Sequence, residues 1–182
     1  MKKIYLLFLL IFSTSAMAVD ITPYEVTQKI TKKIEIREYK DLLLATVSSG
    51  DNDGSFGTLF KFISGSNDKN EKIAMTAPVF EENINDITYL SFAMPEEFNY
   101  SNLPMPNDKS INIENIEKQK FIVIRFSGNS GSKNFAKHRE ILIKKIKEEN
   151  INADLTSGIN AYYNSPLALP PFRRNEILFR LI

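Results

Sequence analysis

The chain has 182 residues, 43% of them apolar, so it can form one domain whose core needs no disulfide or metal. It contains no cysteine, which excludes a disulfide framework, a thiolate zinc site and a lipoprotein anchor. Its 23 basic and 22 acidic residues give a formal charge of +1. Such a balance predicts no attraction to nucleic acid or to an anionic membrane.

The first eighteen residues predict a secretory signal peptide. Lys2 and Lys3 precede the apolar run Ile4 to Phe12, and Ala16-Met17-Ala18 supplies an A-x-A cleavage site. The apolar run is far shorter than the roughly 20 residues that a spanning helix needs. We therefore expect cleavage after Ala18 and a periplasmic or extracellular protein of residues 19–182, with no stable membrane anchor.

The mature chain begins with predicted strands. Ile34 and Ile36 alternate with charged residues, and Leu42 to Ser48 is a second apolar run, so Lys40-Asp41 is expected to form a hairpin turn between them. Residues 50–55 are rich in Asp and Gly, but Phe60 stands where a calcium-binding EF-hand loop requires Glu. This segment is therefore predicted to be a turn and a helix N-cap.

The next segment predicts a helix and two strands. Phe56, Leu59, Phe60 and Ile63 recur at helical spacing, and Gly65 provides a natural end. Alternating residues then predict a strand over residues 73–79, a polar turn over 81–86 and a further strand over 87–94.

The second half of the mature chain repeats this order after a proline-containing linker at residues 95–108. Residues 111–128 match the pattern of residues 34–50, a helix is predicted over Asn134 to Glu149, and the last strands fall near 161–163 and 177–181. Two β-β-α-β-β halves, residues 20–94 and 109–182, predict an α+β fold with a mostly antiparallel sheet and internal pseudo-symmetry.

The most specific string in the chain is Lys72 to Val79, KIAMTAPV, preceded by the turn Gly65-Ser66-Asn67-Asp68. Together they resemble the SOUL haem-binding protein family. Further matches follow in family order at residues 24–26, 34–39, 104–106, 126–128, 163–166 and 173–176. The resemblance extends from about residue 22 to the C-terminus. It implies a distorted, mostly antiparallel β-barrel with two flanking helices, similar to effector-binding domains that have a cleft between two halves.

The resemblance also implies a non-catalytic protein that holds haem or another porphyrin in a hydrophobic groove beside the first helix. The residues themselves support this, because the first helix carries more aromatic surface, including Phe62, than one buried face requires. By the resemblance, Lys61 would meet a haem propionate and the loop before the last strand would form the other wall. The implied binding residues are Phe56, Phe60, Lys61, Leu167, Leu169 and Phe172.

The chain also departs from the family pattern. Asp53 stands where an arginine is usual, Leu169 where a lysine is usual, and Glu38 where one branch has an iron-binding histidine. The only histidine, His138, is expected to be solvated or to cap a helix, and Met75 and Met94 are expected in the core. We therefore expect weak, largely hydrophobic haem binding without a strong axial ligand.

Two other functions remain open from the sequence. The cleft between the halves is the candidate site for a cationic or amphipathic small molecule recognised by Glu176, although the sequence favours Asn175-Glu176 as a polar pair that fixes the last strand. An interaction protein of the envelope is the second alternative. The chain has no G-x-S-x-G elbow and no cluster of metal-ligating residues at ligand spacing, so neither an enzyme nor a metal site is predicted.

Overall fold

The computed structural model describes residues 19–49 and 54–182. The predicted signal peptide, Asp53 and most of the predicted turn at 50–55 therefore lie outside the described residues. In the first half the elements are β1 (Asp20–Ile21), β2 (Glu25–Lys29), β3 (Ile34–Tyr39), β4 (Leu42–Ser49), α1 (Ser55–Ile63), β5 (Thr76–Ala77), β6 (Val79–Ile84) and β7 (Ile87–Ala93). In the second half they are β8 (Asn112–Ile116), β9 (Gln119–Phe126), α2 (Ser132–Glu148), β10 (Ile159–Tyr162), a 3₁₀ turn (Pro170–Phe172) and β11 (Asn175–Arg180). None of these helices is long and apolar enough to span a membrane.

Nine of the described strands form one antiparallel sheet in the order β2-β3-β9-β11-β10-β6-β7-β4-β8. Apart from β2, this order is symmetric about the β10–β6 pair, with one strand of each half in equivalent positions on either side. The two remaining short strands, β1 and β5, pair in parallel. The predicted α+β fold with two pseudo-symmetric halves and two flanking helices is therefore confirmed.

The predicted hairpin at Lys40-Asp41 is wrong. β3 pairs with β9, placing Tyr39 opposite Gln119, whereas β4 pairs with β8, placing Leu42 opposite Ile116. The two halves thus exchange β3 and β8. The Lys118 amide, between β8 and β9, donates to the Asp41 carboxylate, between β3 and β4, at 2.7 Å. Alternating hydrophobicity sets which face of a strand is buried but does not identify its partner.

The strand predicted over residues 73–79 is also largely wrong. Ile73 is buried beneath α1, and its amide donates to the Ile63 carbonyl at 2.8 Å. The segment around Ile73 is therefore held by the end of the helix and is not a strand of the main sheet. Pro78 has no N–H for a ladder. β6 starts only at Val79 and continues through most of the predicted turn, which in the structure is confined to Asn85 and Asp86 at φ 52° and 63°.

Both helices lie on one face of the sheet, which we call the convex face. α1 packs on β4 and β7, and α2 packs on β9 and β11. Each helix covers its own hydrophobic cluster, one around Leu59, Phe62 and Phe92 and the other around Phe135 and Leu142.

The opposite, concave face lines a cleft of about 560 Å³. Tyr39 on β3 and Ile116 on β8 both line this cleft, although seven strand-to-strand steps separate β3 from β8 in the sheet order. The sheet must therefore curl strongly, as right-handed strand twist favours. The result is a half-barrel with helices outside and a cleft inside.

Candidate functional site

Helix α1 forms where the sequence predicts it, but its buried face differs from the predicted stripe. Leu59, Phe62 and Ile63 are buried, whereas Phe56 and Phe60 remain 47% and 50% exposed. The prediction that Phe62 adds to the surface is therefore wrong, because Phe62 is 1% exposed and belongs to the core. Positions i, i+3 and i+4 define one helix face, and here that face starts at Leu59 and not at Phe56.

The signature turn after α1 has a structural role. Gly65 adopts φ +116°, a conformation that L side chains rarely accept. The buried Asn67 amide donates to the carbonyls of Phe62 and Glu71 at 3.2 and 2.7 Å, and it accepts from the Glu71 amide. Asp68 accepts from the Met105 amide at 2.8 Å, which ties this turn to the linker. The turn at Gly65-Ser66-Asn67-Asp68 therefore fixes how α1 joins the next segment.

Phe56 and Phe60 form an exposed pair on the outside of α1, which we call the aromatic patch. Their rings are nearly parallel, at 13°, with centroids 6.0 Å apart. The Phe56 ring also contacts the buried Phe92 ring of β7 edge-on, with centroids 5.3 Å apart. The patch is thus anchored to the sheet while about half of each ring faces solvent.

The loop between β10 and β11 carries a second group of exposed apolar side chains. Leu167, Leu169 and Phe172 are 93%, 65% and 79% exposed. Arg173 holds the loop in shape by donating to the carbonyls of Ala168 and Pro166 at 2.8 and 2.6 Å. The structure therefore presents these three side chains to solvent from a braced segment, which we call the apolar loop.

The aromatic patch and the apolar loop lie at the same end of the convex face. Phe92, which contacts the patch, is opposite Val79 on β6, and Val79 is opposite Tyr162 at the end of β10, where the loop begins. Two strand spacings separate Phe92 from Tyr162, which is about 10 Å. Val79 and Tyr162 therefore lie between Phe92 and the start of the apolar loop. The sequence did not identify them, since their face depends on the strand register.

Helix α1 carries one charged residue, Lys61. Lys61 is exposed, and no carboxylate lies within 4.0 Å of it among the described residues. The charge of Lys61 acts on Asp108, whose pKa is lowered chiefly by hydrogen bonds from Ser110 and slightly by Lys61. Glu38, which replaces a family histidine, lies on β3, where Lys118 binds it at 2.5 Å and lowers its pKa.

His138 does not face the patch. It lies on α2, its ring stacks on Phe126 with centroids 3.9 Å apart, and its Nδ1 is 2.8 Å from the Asn134 carbonyl. This arrangement packs the ring between the helix and β9. Within residues 19–49 and 54–182, no group of three or more His, Asp or Glu residues is placed to hold a metal ion.

Glu176 occupies a different region, on the concave side of β11. It is fully buried, and Arg37 binds its two carboxylate oxygens at 2.6 and 3.0 Å, while Arg174 donates to one of them at 2.9 Å. The two guanidinium groups also stack on Tyr24 and Tyr163. The carboxylate is thus already neutralised inside the protein, which favours a structural role for Glu176 over recognition of a cationic ligand.

Comparison with solved structures defines the class of protein by its fold. The C-terminal domain of EcmrR superposes with a TM-score of 0.59 at 14% identity, over 87% of this chain and 98% of that one. A structure described as a hydrolase from Listeria innocua gives 0.58 at 10% identity, over 82% and 92%. SAV2435 bound to tetraphenylphosphonium gives 0.52 at 10% identity, over 82% and 94%. These similarities show a shared effector-binding-like fold.

The family follows from the sequence. A family model described as SOUL heme-binding protein matches residues 19–180, and the chain belongs to this family. A comparison with curated proteins finds no significant match. The resemblance predicted from the signature string is therefore confirmed.

Proposed function

We propose that this protein is a non-catalytic tetrapyrrole-binding protein that holds haem or a porphyrin between the aromatic patch and the apolar loop. The observation that carries the proposal is the exposure of two stacked phenylalanine rings on α1 in a member of a haem-binding family. Exposed aromatic rings anchored on a rigid element are typical of a surface that another apolar molecule covers.

The proposed mode of binding is mainly hydrophobic. The flat faces of a tetrapyrrole would cover Phe56 and Phe60 on one side and Leu169 and Phe172 on the other. Lys61 would supply a positive charge for one propionate. When bound, haem supplies an iron centre, but the described residues of the patch and the loop include no histidine or methionine to ligate it, and we expect no strong axial ligand.

We propose the periplasm as the location, and the support for this is the predicted signal peptide alone. Export would remove the first eighteen residues. N-terminal sequencing of the protein recovered from the periplasm tests this, with Val19 as the expected first residue. Recovery from the cytoplasm with Met1 retained would contradict it.

Titration of the purified protein with haemin, followed by the Soret band, tests the binding function, with iron-free protoporphyrin IX as the comparison. We expect both to bind saturably and with similar affinity, because the contacts are hydrophobic. Phe60→Asp should weaken binding about tenfold or more, since it places a charge where about 1.4 kcal/mol or more of apolar contact is lost.

His138→Ala is the matched control, because His138 packs on Phe126 away from the patch. It should leave the haemin affinity unchanged. Loss of binding in His138→Ala would instead show iron ligation by that histidine. Saturable binding that Phe60→Asp leaves intact would place the tetrapyrrole elsewhere on the protein.

A further inference from the structure

The concave cleft is separate from the proposed tetrapyrrole site, since it lies on the other face of the sheet. Its volume of about 560 Å³ is within the range of small-molecule sites, roughly 300–1,000 Å³. Alternation along each strand explains the separation. On β6, Val79 and Glu81 face the helices, whereas Phe80, Glu82 and Ile84 face the cleft.

The walls of the cleft carry four aromatic rings on four different strands. Tyr39 comes from β3, Phe80 from β6, Tyr89 from β7 and Phe121 from β9. Aromatic faces are electronegative and attract cations, an interaction that strengthens where water is excluded. The cleft therefore offers apolar contact together with a preference for positive charge.

The titratable lining groups favour the same sign. Four carboxylates line the cleft, against two basic groups, Lys40 and Arg180. One of these acids, Asp154, is close enough to Arg180 for their charges to interact. The other lining carboxylates are those of Glu82, Glu114 and Glu117. The excess negative charge disfavours an anionic occupant.

Glu82 is the carboxylate best placed to act on a ligand. It is half-buried in the middle of the concave face, directly between Tyr89 on β7 and Ile159 on β10. The Ser157 hydroxyl donates to it at 2.5 Å, and among the described residues no basic nitrogen lies within 4.0 Å of its oxygens. Glu82 thus differs from Glu176, whose charge two arginines neutralise.

From these features we propose that the concave cleft binds an organic cation bearing aromatic or other apolar groups, with Glu82 as its counter-ion. The rings of Phe80 and Tyr89, which flank Glu82 along and across the strands, would pack against the apolar groups. This inference does not depend on tetrapyrrole binding, because it uses none of the residues of the aromatic patch or the apolar loop.

The test compares two probes of the same shape and nearly the same size but opposite charge, tetraphenylarsonium and tetraphenylborate. Binding to the purified protein is measured by isothermal titration calorimetry. We expect saturable binding of tetraphenylarsonium at one site and at least tenfold weaker binding of tetraphenylborate. Glu82→Gln should weaken the binding of tetraphenylarsonium about tenfold, because the counter-ion is lost. It should also reduce the difference in affinity between the two probes.

Glu140→Gln is the matched control, since it removes the same charge from an exposed position on α2. It should leave both affinities unchanged, and thermal unfolding of both variants checks that they are folded. The proposal is overturned if tetraphenylarsonium does not bind, if tetraphenylborate binds equally well, or if Glu82→Gln has no effect. Phe60→Asp and prior loading with haemin should leave arsonium binding unchanged. Failure of the cation-binding proposal can therefore be distinguished from failure of the tetrapyrrole-binding proposal.

Discussion

The two faces of the curled sheet present different kinds of side chain. On the convex face, the rings of Phe56 and Phe60 are exposed on a helix beside the exposed Lys61. On the concave face, aromatic rings line a cleft around the carboxylate of Glu82, which accepts a hydrogen bond from Ser157 but has no ionic partner among the described residues. This difference is the basis for proposing an anionic tetrapyrrole on the convex face and an organic cation on the concave face.

A step of one residue separates these two environments. Glu81 faces the helices and accepts hydrogen bonds from the Asn160 amide at 3.0 Å and the Tyr162 hydroxyl at 3.1 Å. Glu82, its neighbour, faces the cleft. Because strand residues alternate between faces, one sheet can support two chemically distinct surfaces without any change of backbone.

The largest expected effect distinguishes two carboxylates on the same concave face. Glu176→Gln should lower the free energy of unfolding by about 3–5 kcal/mol, since it removes the buried charge that Arg37 and Arg174 share and leaves Arg37 with Glu35 as its remaining ionic partner. Glu82→Gln should change it by less than about 0.5 kcal/mol, since that carboxylate is half-buried and has no ionic partner. Urea unfolding of both variants measures the difference. Equal costs would mean that Glu82 is also part of the structural network.

A comparable contrast applies to two aromatic residues of α1. Phe62→Ala should destabilise the protein by about 3–5 kcal/mol, because Phe62 is 1% exposed and its removal leaves a cavity in the core. Phe60→Ala removes a half-exposed ring and should cost far less stability while weakening haemin binding. Denaturant midpoints and Soret titrations of the two variants give both quantities. If Phe60→Ala cost as much stability as Phe62→Ala, the aromatic patch would belong to the core.

The smallest expected effect on stability is a dependence on alkaline pH that arises from Tyr39 on the concave face. Burial raises the pKa of Tyr39 to about 12 from its ordinary value of 10.0, partly opposed by the charge of Arg37. A pKa that is raised on folding stabilises the native state fully below the unfolded value and loses that contribution as the pH rises through the folded one. Stability should therefore decline between about pH 10 and pH 12.

Urea unfolding across this range, compared with Tyr39→Phe, tests the assignment. The variant should show a shallower decline, because it has no hydroxyl to ionise. Identical profiles for the two proteins would show that other groups control the alkaline transition.

Much of the local structure follows from the sequence. The helix at Ser55–Ile63 and its end at Gly65 were predicted from residue spacing, and the second helix was placed within two residues of its observed ends at Ser132–Glu148. The signature string at Lys72 to Val79, with the turn before it and the further matches in family order, identified the family. These features depend on short-range patterns, which a sequence displays directly.

Tertiary structure decided the rest. The exchange of β3 and β8 between the halves, the start of β6 at Val79 and the burial of Phe62 in place of Phe60 all depend on contacts between residues distant in the chain. The same holds for the two carboxylates. Glu176 was predicted as a ligand-binding candidate, but only the fold brings Arg37 to it from 139 residues away and leaves Glu82 without an ionic partner in the cleft. Sequence patterns report which residues are suited to burial, whereas strand pairing determines which of them meet.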